Sequence, residues 1–246
     1  MTVPFEKAAA CALFLDLDGT LIDIAPTPQG VLIPDGLASL LGDLTRRLGG
    51  ALAIVSGRPI PDIDRFLAPL APVAAGVHGA EIRIACHGEI RLTAAPIDPA
   101  LIAAVGALAE TEAGVVVETK RASIAVHYRL APSAEPRIEA ALQLILDDSP
   151  DHLILCRGRK VFEIVPRHVS KGAALETLLA LPAFRGRQPV MIGDDFSDQS
   201  AFAAAARLGG CGLKVAGEHF SQTEAFFSGP ADVRGWLATV SRVLAT

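Results

Sequence analysis

Ala12-Leu13-Phe14-Leu15-Asp16-Leu17-Asp18-Gly19-Thr20 joins a short apolar run to a polar turn. Such a run reads as a strand buried on both faces of a parallel sheet, ending where the backbone turns. Two further stretches share the design: Ala51-Leu52-Ala53-Ile54-Val55 before Ser56-Gly57-Arg58, and Pro189-Val190-Met191-Ile192 before Gly193-Asp194-Asp195. Helical patterns lie around them, from Gly36 to Leu48, Gly172 to Ala180 and Asp198 to Leu208. This alternation predicts a doubly wound α/β sheet. Ligands of such sheets bind beyond the carboxyl ends of the strands, so the three polar loops are expected to converge.

Residues 82–166 read differently. An apolar helix is expected from Pro99 to Glu110 and another from Pro132 to Asp147, with strands at Val115–Glu118, Ser123–His127, Leu153–Cys156 and Val161–Val165. Paired strands with single helices predict a small α+β insert. The expected division is a core of residues 1–81 and 167–246 and an insert of residues 82–166. The sequence beyond Ala216 is assigned no element.

Composition narrows the functional classes. With 246 residues, 51% apolar and 20% charged, the chain has the makeup of a soluble globular protein. The net charge of -5, without a basic block and with one Trp and one Tyr, argues against nucleic acid as a partner. Cys11, Cys86, Cys156 and Cys211 form no Cys-x-x-Cys pair and are expected to be reduced, mostly buried thiols. The run from Ala8 to Leu15 lacks a basic leader and no stretch is long enough to span a bilayer, so the expected location is the cytoplasm.

The chemistry-bearing residues sit at the strand ends. Asp16 and Asp18 are two apart, a spacing that aims both carboxylates alike in extended backbone; two such groups repel unless a cation or proton intervenes. An Asp-Gly turn after a buried strand would explain the run equally well when taken alone. Asp194, Asp195 and Asp198 add carboxylates at another strand end, and oxygen donors without His or Cys suit Mg²⁺; Asp198 could instead cap the following helix. Ser56, the amides around Gly57 and Arg58 suit a phosphate, although Ser56 also fits a helix cap. Lys171 begins a helix, where a cation opposes the dipole and needs another reason to be present.

An aspartate pair, a Ser, a Lys and an acidic cluster, in that chain order, resemble the four motifs of the haloacid dehalogenase superfamily. The insert stands where members carry a type 2 cap. Val55-Ser56-Gly57-Arg58, Gly76-Val77-His78-Gly79-Ala80-Glu81, His127-Tyr128-Arg129, Gly158 through Pro166, and Lys171-Gly172 narrow the resemblance to the trehalose-6-phosphate phosphatase family, from near the first motif to at least Gly212, with a looser match beyond Ala216. Gln199 stands where that family usually has Glu, Ser197 where Thr is usual, and Val165 where a basic residue often precedes the proline.

That resemblance implies magnesium-dependent hydrolysis of trehalose 6-phosphate through an aspartyl-phosphate, the final step of trehalose biosynthesis. Asp16 would be the nucleophile and Asp18 the acid and base. Ser56 and Lys171 would hold phosphoryl oxygens. Asp16, the Asp18 carbonyl and Asp194 would hold Mg²⁺, with Asp195 or Asp198 completing the shell. Lys120, His127 and Glu163, with Arg58, His78 and Arg129, would contact substrate, and the cap would close over the sugar. His127 is almost equally well read as a core histidine. The partner expected is a small sugar phosphate, with functional coupling to a trehalose-phosphate synthase. Two alternatives stay open: a phosphatase for sucrose 6-phosphate or a glycosyl-phosphoglycerate, and a non-catalytic sugar-phosphate sensor.

Overall fold

Every side chain from Cys11 to Leu15 is buried, the pattern of a strand covered on both faces. This strand, β1, anchors a computed structural model that describes residues 9–25, 30–147, 152–158 and 160–245. Ala8 of the first apolar run and Arg159 of the Gly158–Pro166 string lie outside the described residues. Parallel neighbours flank β1 on both sides: β2 (Leu52–Val55) and β10 (Gln188–Gly193). Beyond them lie β3 (Val73–Gly76), β4 (Glu81–Arg83) and β5 (Arg91–Leu92) on one side, and β11 (Cys211–Lys214) on the other. The seven-stranded order is β11-β10-β1-β2-β3-β4-β5.

The connections are α1 (Leu37–Arg47) from β1 to β2, α2 (Ile60–Leu67) from β2 to β3, α5 (Lys171–Leu179) before β10 and α6 (Gln199–Arg207) from β10 to β11. Chain progression runs outward from β1 in one direction through β2 and β3, and outward through β10 and β11 in the other. The reversal between β1 and β10 is the topological switch point at which such sheets bind ligands. Right-handed crossovers then put α1 and α6 on opposite faces, where α1 packs against α7 (Pro230–Val243) and α5 against α6. The last helix was not read from the sequence, yet Pro230 at its start and buried Val233, Leu237 and Val240 at helical spacing mark it.

Chain contacts divide the molecule into two units, residues 1–91 with 170–246, and residues 92–169. The insert read as starting at Ile82 starts later because β4 pairs antiparallel with β3, with Ala75 opposite Ile82. Arg83 ties that hairpin down: its guanidinium is buried, donates to the Pro72 carbonyl at 2.8 Å, and takes both oxygens of Asp64 at 2.8 and 2.6 Å.

The second unit is a four-stranded antiparallel sheet, β6 (Val116–Thr119), β7 (Ile124–His127), β8 (Leu153–Gly158) and β9 (Val161–Pro166), in the order β6-β7-β9-β8. Its helices α3 (Pro99–Thr111) and α4 (Glu135–Asp147) bury Leu101, Val105, Ile138 and Leu142 against Ile124, Val126, Phe162 and Ile164. Strand alternation therefore puts Glu118, Ala125, Glu163 and His127 on the sheet's other face. Among the described residues no cysteine is disulfide-bonded; Cys11 is buried, whereas Cys86 is exposed, contrary to the expectation for that thiol. Among the described residues no helix is long and apolar enough to cross a membrane.

Phe14 is fully buried with its ring 5.5 Å from that of Phe184. Phe14→Ala is predicted to lower the unfolding free energy by ~3–5 kcal/mol, read by urea denaturation.

Candidate active site

The switch point brings the first and last acidic motifs together. Leu15 is in register with Ile192, and the Asp16 amide donates to the Ile192 carbonyl at 2.9 Å. Asp16 and Asp194 thus leave neighbouring strands side by side. The chain after Asp16 folds back at once: the Gly19 amide donates to the Ile22 carbonyl at 2.8 Å, and Leu17, Leu21 and Ile22 are fully buried. Gly19 has φ +74°, and a Cβ on it would lie 2.0 Å from Asp194 Oδ2, so the turn and the carboxylate fit only because that side chain is absent. The Thr20 hydroxyl donates to Asp194 Oδ1 at 3.2 Å. Its orienting contact was missed in the sequence because it spans most of the chain.

Asp16, Asp194 and Asp198 are buried, and one oxygen from each lies within 4.8 Å of the others. Lys171, at the first turn of α5 behind the Ser170 cap, places Nζ 2.9 Å from Asp16 Oδ1 and 2.7 Å from Asp198 Oδ1. Burial opposes the ammonium, but the charges of Asp16 and Asp198 hold its pKa above the ordinary lysine value. Burial also drives the carboxyls upward: Asp16 well above its usual 3.8 despite Lys171, and Asp194 to about 7, with Asp198 adding repulsion. Three carboxylates face one ammonium here. The site is therefore short of positive charge, and its oxygen-only donor set fits a hard divalent cation.

Asp195 does not join this cluster. Its amide donates to Asp198 Oδ2 at 2.9 Å, its Oδ2 accepts from the Ser197 hydroxyl at 3.1 Å, and its Oδ1 lies 2.8 Å from His219 Nε2. The His219 contact is close but poorly aligned for a hydrogen bond, and both atoms are buried. Of the two residues left open by the sequence, Asp198 is the one beside Asp16 and Asp194.

Asp18 also turns elsewhere, pairing with Arg58 at 2.6 and 2.7 Å. Arg58 follows Ser56, which is buried and whose hydroxyl accepts from the Arg58 amide at 3.2 Å. Val77 and His78 brace this loop: their amides donate to the Arg58 and Ser56 carbonyls, each at 3.0 Å. They do so with φ of 49° and 56°, left-handed values that are costly for a β-branched residue. A Cβ on Gly57 would lie 2.8 Å from His78 Nε2, which puts the imidazole directly against the loop.

On the face of the second unit's sheet away from α3 and α4, Lys120 Nζ lies 2.6 Å from Glu163 Oε1, and His127 Nε2 lies 2.9 Å from Glu118 Oε2. The His127 hydrogen bond holds the Glu118 carboxyl below its ordinary value. The sequence reading does not single out Glu118, although its period-2 spacing from Lys120 places the two on one face. Arg129 lies in the turn after β7, outside this strand row.

The raised Asp194 pKa has a direct consequence. The folded protein holds this proton more tightly than the unfolded chain, so in cation-free buffer the group's contribution to stability falls as pH rises from about 4 to about 7. Urea unfolding across that window is predicted to show this decline in the wild type, a shallower one in Asp194→Asn, and an offset of the decline by added divalent cation. Gly19→Ala is predicted to abolish cation-dependent stabilisation, because the new methyl occupies the position of the Asp194 carboxylate.

The sequence model of the trehalose-phosphatase family matches residues 14–228. A probable trehalose-phosphate phosphatase of Sinorhizobium fredii is 38% identical over 94% of this chain and 87% of its own length. The trehalose-6-phosphate phosphatase of Escherichia coli is 36% identical over 97% of this chain and 90% of its own. Among solved structures, the C-terminal domain of the C. albicans trehalose-6-phosphate phosphatase superposes with a TM-score of 0.82, covering 97% of this chain and 94% of that one at 19% identity. That likeness establishes the fold, which is shared with a haloacid dehalogenase-like hydrolase from Bacteroides thetaiotaomicron at a TM-score of 0.64 and 15% identity, covering 93% of this chain and 98% of that one. The identities and the matched span, which runs from Phe14 in β1 past Asp198 to Ser228, establish more: this chain belongs to the trehalose-phosphatase family.

Proposed function

We propose that this chain hydrolyses trehalose 6-phosphate to trehalose and phosphate, the last step of trehalose biosynthesis, with Asp16 as nucleophile. The observation that carries the reading is the buried cluster of Asp16, Asp194, Asp198 and Lys171 at the switch point. Asp16, Asp194 and Asp198, with the Asp18 main-chain carbonyl, would hold Mg²⁺, which offsets the charge of a transferring phosphoryl group when bound.

Asp16 attacks phosphorus in line, forming an aspartyl-phosphate as the bond to the sugar oxygen breaks. Lys171 neutralises phosphoryl oxygens and keeps Asp16 oriented, and the Ser56 hydroxyl donates to another oxygen. Asp18 gives its proton to the departing sugar oxygen, then takes one from the water that attacks the phosphoenzyme, so phosphate leaves and Asp16 is restored. Asp195 supports the acidic turn through Ser197 and its backbone. Sugar hydroxyls fall to Glu163, Lys120, His127 and Glu118, whose charged groups suit them, with His78 and Arg129 as additional contacts. An enzyme of this kind consumes the product of a trehalose-phosphate synthase, and we place both in the cytoplasm.

Phosphate release across trehalose 6-phosphate, sucrose 6-phosphate and a glycosyl-phosphoglycerate tests the substrate; trehalose 6-phosphate is expected to give the highest kcat/KM, and a clear preference for another would overturn the assignment. Asp16→Asn is predicted to lose turnover while circular dichroism stays unchanged. Glu163→Gln is predicted to raise KM for trehalose 6-phosphate about 10–100-fold, the scale of a lost hydrogen bond to a charged group.

A further inference from the structure

Asp18 stands two residues from Asp16, close enough in sequence to be drawn toward the same cation. It is held by Arg58 instead. Arg58 Nε donates to Asp18 Oδ2 at 2.6 Å and Nη2 donates to Oδ1 at 2.7 Å, a two-pronged pairing that fixes the plane of the carboxyl as well as its distance.

The guanidinium is braced from behind. Its central carbon lies 4.8 Å from the centre of the Phe66 ring, and the Arg58 side chain is only 14% exposed. The Arg58 backbone is fixed at both ends, its amide on the Ser56 hydroxyl and its carbonyl on the Val77 amide within the left-handed Val77-His78 turn. A rigid bracket built on the ends of β2 and β3 thus reaches the turn that follows β1.

We infer that Arg58 is a positioning residue for Asp18: the fork orients the carboxylate, one of its two hydrogen bonds gives way when that oxygen carries the proton for the departing sugar oxygen, and this role outweighs any direct hold on the phosphoryl group. The inference rests on the reading of Asp18 as acid and base. It assigns strain in the Val77-His78 turn a purpose, since that turn anchors the arm from which the fork extends.

Leaving-group chemistry separates the two roles. For a reaction that passes through a phosphoenzyme, kcat/KM reports only the steps up to phosphoryl transfer onto Asp16. A sugar alkoxide needs a proton to depart, whereas p-nitrophenolate leaves without one. Arg58→Ala is therefore expected to lower kcat/KM for trehalose 6-phosphate about 10²-fold, in the range of general acid catalysis, and to lower that for p-nitrophenyl phosphate at least about tenfold less. Arg58→Lys, which keeps the charge without the fork, should behave like the alanine variant. In an Asp18→Asn background, loss of Arg58 should cost little more. Equal losses on both substrates, or restoration of trehalose 6-phosphate turnover by lysine, would overturn the inference in favour of phosphate neutralisation. Retained p-nitrophenyl phosphate turnover also reports that the variants fold. Should the wild type hydrolyse another sugar phosphate and not trehalose 6-phosphate, the substrate reading fails, and the Arg58 comparison is decided on that sugar phosphate.

Discussion

Lys171 places an ammonium between Asp16 and Asp198 in a site from which water is nearly excluded. A lone charge in such surroundings costs several kcal/mol, so each of these groups requires the others. The requirement reaches far through the chain, because the partners come from the end of β1, the start of α5 and the turn after β10. Only a sheet with β1 and β10 adjacent satisfies it. The same adjacency creates the reversal of winding at which ligands bind, so the electrostatic constraint and the topology select one place.

The pairing is incomplete by design of the residues present. One ammonium faces three buried carboxylates, and burial, reinforced by repulsion among the carboxylates, pushes the Asp16 and Asp194 carboxyls upward. A hard cation would relieve that pressure, and under the proposed function an incoming phosphoryl group would then meet a site whose positive charge is already assembled. Catalytic sites favour such fixed charges because no reorganisation is needed during reaction. Asp18 and Asp195 are kept out of the cluster by partners of their own, Arg58 for one and Ser197 with His219 for the other.

Much of this is legible in the sequence. The runs at Leu13, Ile54 and Met191 are apolar at every position because both faces are covered, and the loops at their ends carry Asp16, Ser56 and Asp194. Lys171 stood out as a cation at the wrong end of a helix. Two kinds of feature escaped. Pairings between distant segments, such as Thr20 with Asp194, His219 with Asp195 and the Arg58 fork on Asp18, have no signature in local spacing. Others were present and unread: Glu118 shares Lys120's face by simple alternation, and Val233, Leu237 and Val240 mark α7. The sequence puts the insert boundary at Ile82, ahead of the observed one, because a short antiparallel strand looks alike whether it joins the core sheet or leaves it; pairing with β3 decides that.

The central claim is that phosphate passes through Asp16. A single turnover with substrate labelled in its phosphoryl group, quenched in acid and digested, tests it directly. The account predicts label on the peptide that carries Asp16, lost on treatment with hydroxylamine and absent from Asp16→Asn. Release of labelled phosphate in the same turnover, with no labelled protein at any quench time, would contradict it.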